Sequence, residues 1–151
     1  MKYRIIELPA FEVVGMEYRG SAPGDSIGQL WQRFLPREED VVASATDKTA
    51  YGVCTQLPGG EFHYIAGLPV DAGAAVPEGM VRFTVPAQKY AVFTHIGPVD
   101  AIADSFQAIY SSLLARHGLE PKKGVDLERY TERFLGPQDP ASETDLYVPI
   151  Y

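Results

Sequence analysis

The sequence predicts an α+β domain built from two like halves, each reading strand, helix, strand, strand. Three observations carry that expectation. Segments rich in β-branched and aromatic residues end on glycine or proline, two stretches repeat apolar residues at helical spacing, and both halves keep the same order of elements. "FEVVGMEYRGS", a helix, "AYGVC" and "YIAGLPV" run parallel to "KYAVFTHIG", a helix, "LERYTERF" and "LYVPI". Such a repeat implies a pseudo-twofold pair in an antiparallel sheet, with both helices on one side and a ligand cleft between the repeats. The 151 residues are expected to form a single domain, with repeat 1 at about 1–70 and repeat 2 at about 80–151.

In chain order, "YRIIELPAFEVVGMEYRGS" reads as one strand or two joined at Pro9. "GDSIGQLWQRFLP" places Ile27, Leu30, Trp31, Phe34 and Leu35 on one helix face, with Asp25 as N-cap and Pro36 as stop. "TAYGVCTQ" and "EFHYIAGLPV" flank "PGG" as a hairpin, and residues 71–79 read as loop. "MVRFTVP" and "QKYAVFTHIG" are strands. "PVDAIADSFQAIYSSLLARHG" carries the second apolar helical stripe and closes on Arg116, His117 and Gly118. "DLERYTERF" and "DLYVPIY" are the last strands.

Composition excludes several functions. Thirteen Lys and Arg against 20 Asp and Glu give a formal charge of -7 with no basic run beyond Lys122-Lys123, which argues against direct nucleic-acid binding. Cys54 is the only cysteine, and His63, His95 and His117 lack metal-ligand spacing, so no metal and no cofactor are expected. Glu7, Pro9 and Glu12 interrupt the apolar N-terminal segment, and no stretch reaches ~18 apolar residues. No membrane association is expected, and the cytoplasm is the expected compartment.

The strand "DLERYTERF" holds the residue of greatest chemical interest. Period-two alternation puts Glu128, Tyr130, Glu132 and Phe134 on one face, opposite Leu127, Arg129, Thr131 and Arg133. A carboxylate among aromatic rings is costly unless a cation or a hydrogen-bond donor meets it. The pattern alone leaves two readings: a solvated or ion-paired glutamate, or a carboxylate facing a cavity.

Taken together, "VVGMEYRG", "LWQRF", "YGVC", "YIAG", "VPAQKYAVFTHIGPV", "LERYTERF" and "DLYVPI" resemble the GyrI-like small-molecule-binding domain. That domain is also the effector-binding half of AraC- and MerR-type bacterial transcription regulators. The resemblance spans nearly the whole chain and rests on the order and spacing of the motifs. It implies two strand-helix-strand-strand (SHS2) modules enclosing a pocket for a flat aromatic or amphipathic organic cation. It also implies that Glu128 faces the ligand's positive charge while aromatic rings stack on it.

Under that resemblance the ligand-binding set is Glu128, Tyr130, Tyr147, Trp31, Tyr51, Tyr64 and Phe93. Trp31 is either a core ring of the first helix or, where the family's "LW" lies, an indole at the pocket. Tyr51, Tyr64 and Tyr147 are core rings or pocket walls, and His95 is a satisfied core or rim histidine. Glu132 is expected at the pocket mouth, solvated.

No nucleophile elbow, phosphate loop or dinucleotide fingerprint is present. Some stand-alone members of the resembled family are hydrolases that open cyclopropane rings of DNA-alkylating compounds. The resemblance therefore carries an alternative in which Glu128 acts on a water and Tyr130 or Tyr147 hydrogen-bonds the developing oxyanion. A third possibility, a gyrase-inhibiting protein partner, has only the "REED" cluster at 37–40 behind it.

Overall fold

The structure is a computed structural model that describes residues 1–21 and 24–151, with the backbone alone for Gly24 and Asp25. The cap expected at Asp25 lies outside the described residues. Among the described residues, sixteen short elements fall into two compact units, Pro9–Ala87 and Gln88–Tyr151 with Met1–Leu8.

The first unit contains β2 (Phe11–Gly20), α1 (Gly24–Phe34), a 3-10 turn (Leu35–Arg37), α2 (Glu39–Val42), β3 (Ala50–Gln56), β4 (Phe62–Val70) and β5 (Val81–Val85). Its strands pair antiparallel in the order β3-β4-β2-β5. The second holds β1 (Tyr3–Leu8), β6 (Gln88–Ile96), α3 (Ile102–Ala108), a π-helical turn (Ile109–Leu113), α4 (Leu114–Arg116), β7 (Val125–Tyr130) and β8 (Glu143–Pro149). Its order, β7-β8-β6-β1, is again antiparallel and matches the first element for element. The α+β class and the repeated grammar are therefore as the sequence predicts.

The outer strands were not legible. β1 precedes β2 in the chain yet pairs with β6, and β5 precedes β6 yet pairs with β2. Both connectors are Pro-Ala: Pro9-Ala10 and Pro86-Ala87. A two-residue hairpin needs residues that take positive φ, which proline cannot. The chain therefore runs on instead of folding back, and each leading strand completes the sheet of the other repeat.

Side-chain alternation sets the core of each unit. In the first, Val14, Tyr64, Ala66 and Leu68 pack against Leu30 and Phe34 of α1. In the second, Ala91, Phe93, Leu146 and Val148 pack against Ile102, Ile109 and Leu114. The second helical run ends at Gly118, whose φ of 68° glycine adopts without strain, and the Leu119 N–H donates to Leu114 O at 2.8 Å.

On the opposite face, one cross-strand row differs between the repeats. Tyr51, Gly67 and Gly15 are aligned in the first, whereas Leu127, Tyr147 and Val92 are aligned in the second. The ring sits on β3 in one repeat and on β8 in the other. A Cβ at Gly15 would run into the carbonyl of Ala66, so the backbone approach there requires glycine.

The strand expected over 126–134 ends at Tyr130. Beyond it the Phe134 N–H donates to Thr131 O at 2.9 Å, a turn that carries Arg133 back to Glu143 and Asp145. Glu132 and Phe134 consequently lie outside the ladder, and Glu132 is exposed.

Candidate functional site

Register places the carboxylate of interest. Glu128 pairs with Leu146 and Leu127 with Tyr147, so Glu128 shares the face of Leu146, the face packed by the helical run. By alternation Asp126 and Tyr130 lie on that face too. Glu128 is half-buried, and its Oε1 accepts the Tyr130 hydroxyl at 2.7 Å. The aromatic-carboxylate juxtaposition read from the sequence is thus present as a direct hydrogen bond.

Asp126 is the residue the sequence reading missed. Its Oδ1 accepts the Tyr110 hydroxyl from the π-helical turn at 2.6 Å. Burial pushes its carboxyl up to about 6; the Tyr110 hydrogen bond opposes that rise and the neighbouring Glu128 charge adds to it. The signal lay in the same alternation that singled out Glu128, two residues earlier on the same face.

The raised Asp126 carboxyl fixes the sign of a pH effect. The folded state holds this proton more tightly than the unfolded chain, so stability falls as pH rises from ~4 to ~6 and stays reduced above that. Asp126→Asn keeps an oxygen for Tyr110 and removes the charge. Its urea midpoint is expected to exceed that of wild type at pH 7.5, reflecting up to about 3 kcal/mol of added stability, and to equal it at pH 3.5. Equal midpoints at both values would show that water relieves the charge.

The other expected ligand residues divide between faces. Trp31 and Tyr64 lie on the helix-packed face of the first repeat, with Trp31 Nε1 donating to the Tyr64 hydroxyl at 3.0 Å. Phe93 is fully buried and stacks on Tyr3 at 5.6 Å. Tyr147, expected beside Glu128, leaves the opposite face because its cross-strand partner is Leu127; there its edge meets Tyr90 at 5.4 Å. Tyr51 also lies on the face opposite its repeat's helix, 5.5 Å from Phe11. The chain thus brings Glu128, Tyr130, Asp126 and Tyr110 together, and does not bring Tyr147 to them.

His95 is buried, with Nδ1 2.7 Å from Ser105 Oγ and Nε2 2.9 Å from Pro98 O. The carbonyl can only accept, so Nε2 carries a proton and the ring is a satisfied core histidine. A groove of ≈ 750 Å³ in the second unit is bordered by Lys2, His95, Ile96, Asp104, Ser105 and Glu143. It is lined by none of the expected ligand residues and by no Phe, Tyr or Trp. Among the described residues no group of three or more His, Cys, Asp or Glu is placed to hold a metal ion, and no helix is long and apolar enough to cross a membrane.

Residues 4–150 match the family of integron-associated effector binding proteins, Cass2. The chain belongs to that family. Over all 151 residues it is 65% identical to the transcriptional regulator BrlR of Pseudomonas aeruginosa, and it spans 56% of that regulator's length. Among solved structures it is similar to a protein bound to tetraphenylphosphonium, with a TM-score of 0.78 and 19% identity over 100% of this chain and 94% of that one. It is also similar to the integron cassette protein of Vibrio cholerae, with a TM-score of 0.65 and 21% identity over 99% of this chain and 95% of that one. At these identities the structural likeness is one of fold. The effector-binding resemblance is borne out, and small-molecule effector binding is the role shared at the level of the Cass2 family.

Proposed function

We propose that this effector-binding domain takes an amphipathic or flat aromatic organic cation, with Glu128 meeting the positive charge. The observation behind this reading is a half-buried carboxylate, hydrogen-bonded to a tyrosine hydroxyl and preceded on its face by a second carboxylate, in a member of an effector-binding family. A weakly hydrated, delocalised cation loses little on leaving water, and each ring face adds ~0.5–2 kcal/mol of cation–π attraction. Charge and flatness would be selected more than outline, the behaviour of a promiscuous binder. The similar fold that binds tetraphenylphosphonium supports the ligand class and supplies a probe. The identity to a transcriptional regulator supports a role as its effector-sensing part, with DNA contacted by another segment or protein.

Turnover is a second reading, in which Glu128 activates a water. Tyr130 is the oxyanion donor in that reading, since Tyr147 departs from the other face. A mass-spectrometric time course with tetraphenylphosphonium, cationic dyes and cyclopropane electrophiles separates the two. Retention of a ligand of unchanged mass is expected; a product heavier by one water would establish a hydrolase, and no retained cation at all would defeat the binding proposal.

The aromatic partners are tested apart from the charge. As the sole tryptophan, Trp31 reports without ambiguity: if it contacts the ligand, its emission shifts on titration, and Trp31→Phe weakens binding by roughly 1 kcal/mol. Saturation seen by calorimetry with unchanged emission would return Trp31 to a purely packing role beside Tyr64 and Phe34.

A further inference from the structure

The second helical run contains a feature that its counterpart lacks. Ile27, Leu30, Trp31 and Phe34 on α1 recur in spacing as Phe106, Ile109, Tyr110 and Leu113, which makes Tyr110 the positional equivalent of Trp31. In the second run these positions pass through a π-helical turn, Ile109–Leu113, a distortion of the kind often found at functional sites. Each aromatic residue reaches from its helix to a polar group on the sheet, Trp31 to Tyr64 and Tyr110 to Asp126. The sheet positions differ as well. Matching the strand registers sets Asp126, Glu128 and Tyr130 against Ala50, Gly52 and Cys54, so the charged groups belong to one repeat only.

We propose that Tyr110 and Asp126 form a proton-responsive specificity pair beside Glu128, so that a cationic effector binds more tightly once Asp126 has released its proton to solvent. This deepens the cation reading above and rests on it. With Asp126 protonated, the site presents one carboxylate; with Asp126 ionised, it presents two, one strand repeat apart, ~7 Å along the same face. The groups that act on Asp126 are Glu128 on its own strand and Tyr110 from the π-helical turn, and the register continued from Leu127–Tyr147 sets it beside the apolar Val148 of β8. A second positive centre at that spacing makes dications the favoured class.

Tyr110 sets the pH at which the change occurs. Its hydroxyl stabilises the carboxylate, so losing it moves the transition to higher pH, whereas a ligand cation moves it lower. The working range follows from the Asp126 carboxyl lying at about 6: at pH 5 roughly a tenth is ionised and at pH 8 nearly all, so the contrast in affinity is at most about tenfold, smaller to the extent that Glu128 alone still holds the cation.

The experiment is calorimetric titration with tetraphenylphosphonium at pH 5 and pH 8, using wild type, Asp126→Asn and Tyr110→Phe, with carbon NMR of the Asp126 carboxyl alongside. Wild type is expected to bind several-fold tighter at pH 8, up to about tenfold, Asp126→Asn equally at both, and Tyr110→Phe with its transition at higher pH. The NMR midpoint of wild-type Asp126 is expected to fall when the probe is added, which checks the pair without any variant. A bis-ammonium analogue is expected to show a larger pH contrast than the monocation. Equal wild-type affinity at both pH values, or an undiminished contrast in Asp126→Asn, overturns the pair alone. Absence of probe binding to wild type even at pH 8 overturns the cation reading and the pair with it.

Discussion

Arg133→Met is expected to destabilise the protein by about 3 kcal/mol. Asp145 is completely buried on the face of the second repeat opposite the helices, where it accepts the Thr94 hydroxyl at 2.9 Å and Arg133 Nη2. Arg4 of β1 approaches it at 3.5 Å, and Arg133 also reaches Glu143 at 3.0 Å. Breaking a buried pair typically costs 3–5 kcal/mol, because the remaining charge stays desolvated. The lower end applies here, since Arg4 is left to compensate. Arg133→Met combined with Asp145→Asn removes the stranded charge and is expected to recover at least ~1 kcal/mol. Urea denaturation of the two single variants and the double variant measures that coupling. Strictly additive losses would mean that the guanidinium at position 133 is a surface ornament to Asp145, not its counter-ion.

Glu128→Gln is expected to keep the fold and lose cations. Glutamine has nearly the shape of glutamate and can still accept the Tyr130 hydroxyl, so what disappears is the charge. Removing one partner of a desolvated charge pair costs ~2–5 kcal/mol, a loss of ~30-fold or more in affinity, against ~0–1 kcal/mol for a solvent-exposed pair. A neutral ligand of the same outline is expected to bind wild type and variant alike. Paired titrations with a cationic dye and its neutral isostere decide the matter, and equal cation affinities would reduce Glu128 to a solvated strand residue. In the hydrolase version the variant would bind substrate yet fail to turn it over.

Much of the fold was readable because local pattern and tertiary structure agree. The helical stripes at Ile27–Phe34 and Ile102–Leu114, the hairpin around "PGG" and the repeated order of elements all recur in the structure. The site was readable in part. Alternation correctly joined Glu128 to Tyr130, and the same rule, taken two residues back, yields Asp126. In the sequence Tyr110 reads as one more residue of the apolar stripe, yet its ring is substantially exposed and its hydroxyl bonds a carboxylate sixteen residues on.

The sequence alone carries the period of each segment and hence its type, since helical and strand spacing are properties of neighbours along the chain. It also determined the duplication, because matching segments recur in order. Which strands pair, and in what register, is set only when the sheets assemble. The Pro-Ala connectors forbid tight reversal but do not say where β1 and β5 go; that is set by which open sheet edge each finds. Register then assigned the faces. A strand's alternation fixes which of its own residues travel together, but a shift of one residue against its neighbour exchanges the two faces. Tyr147 lies opposite Leu127 and not Glu128 for that reason, and it therefore stands apart from the carboxylate it was expected to join.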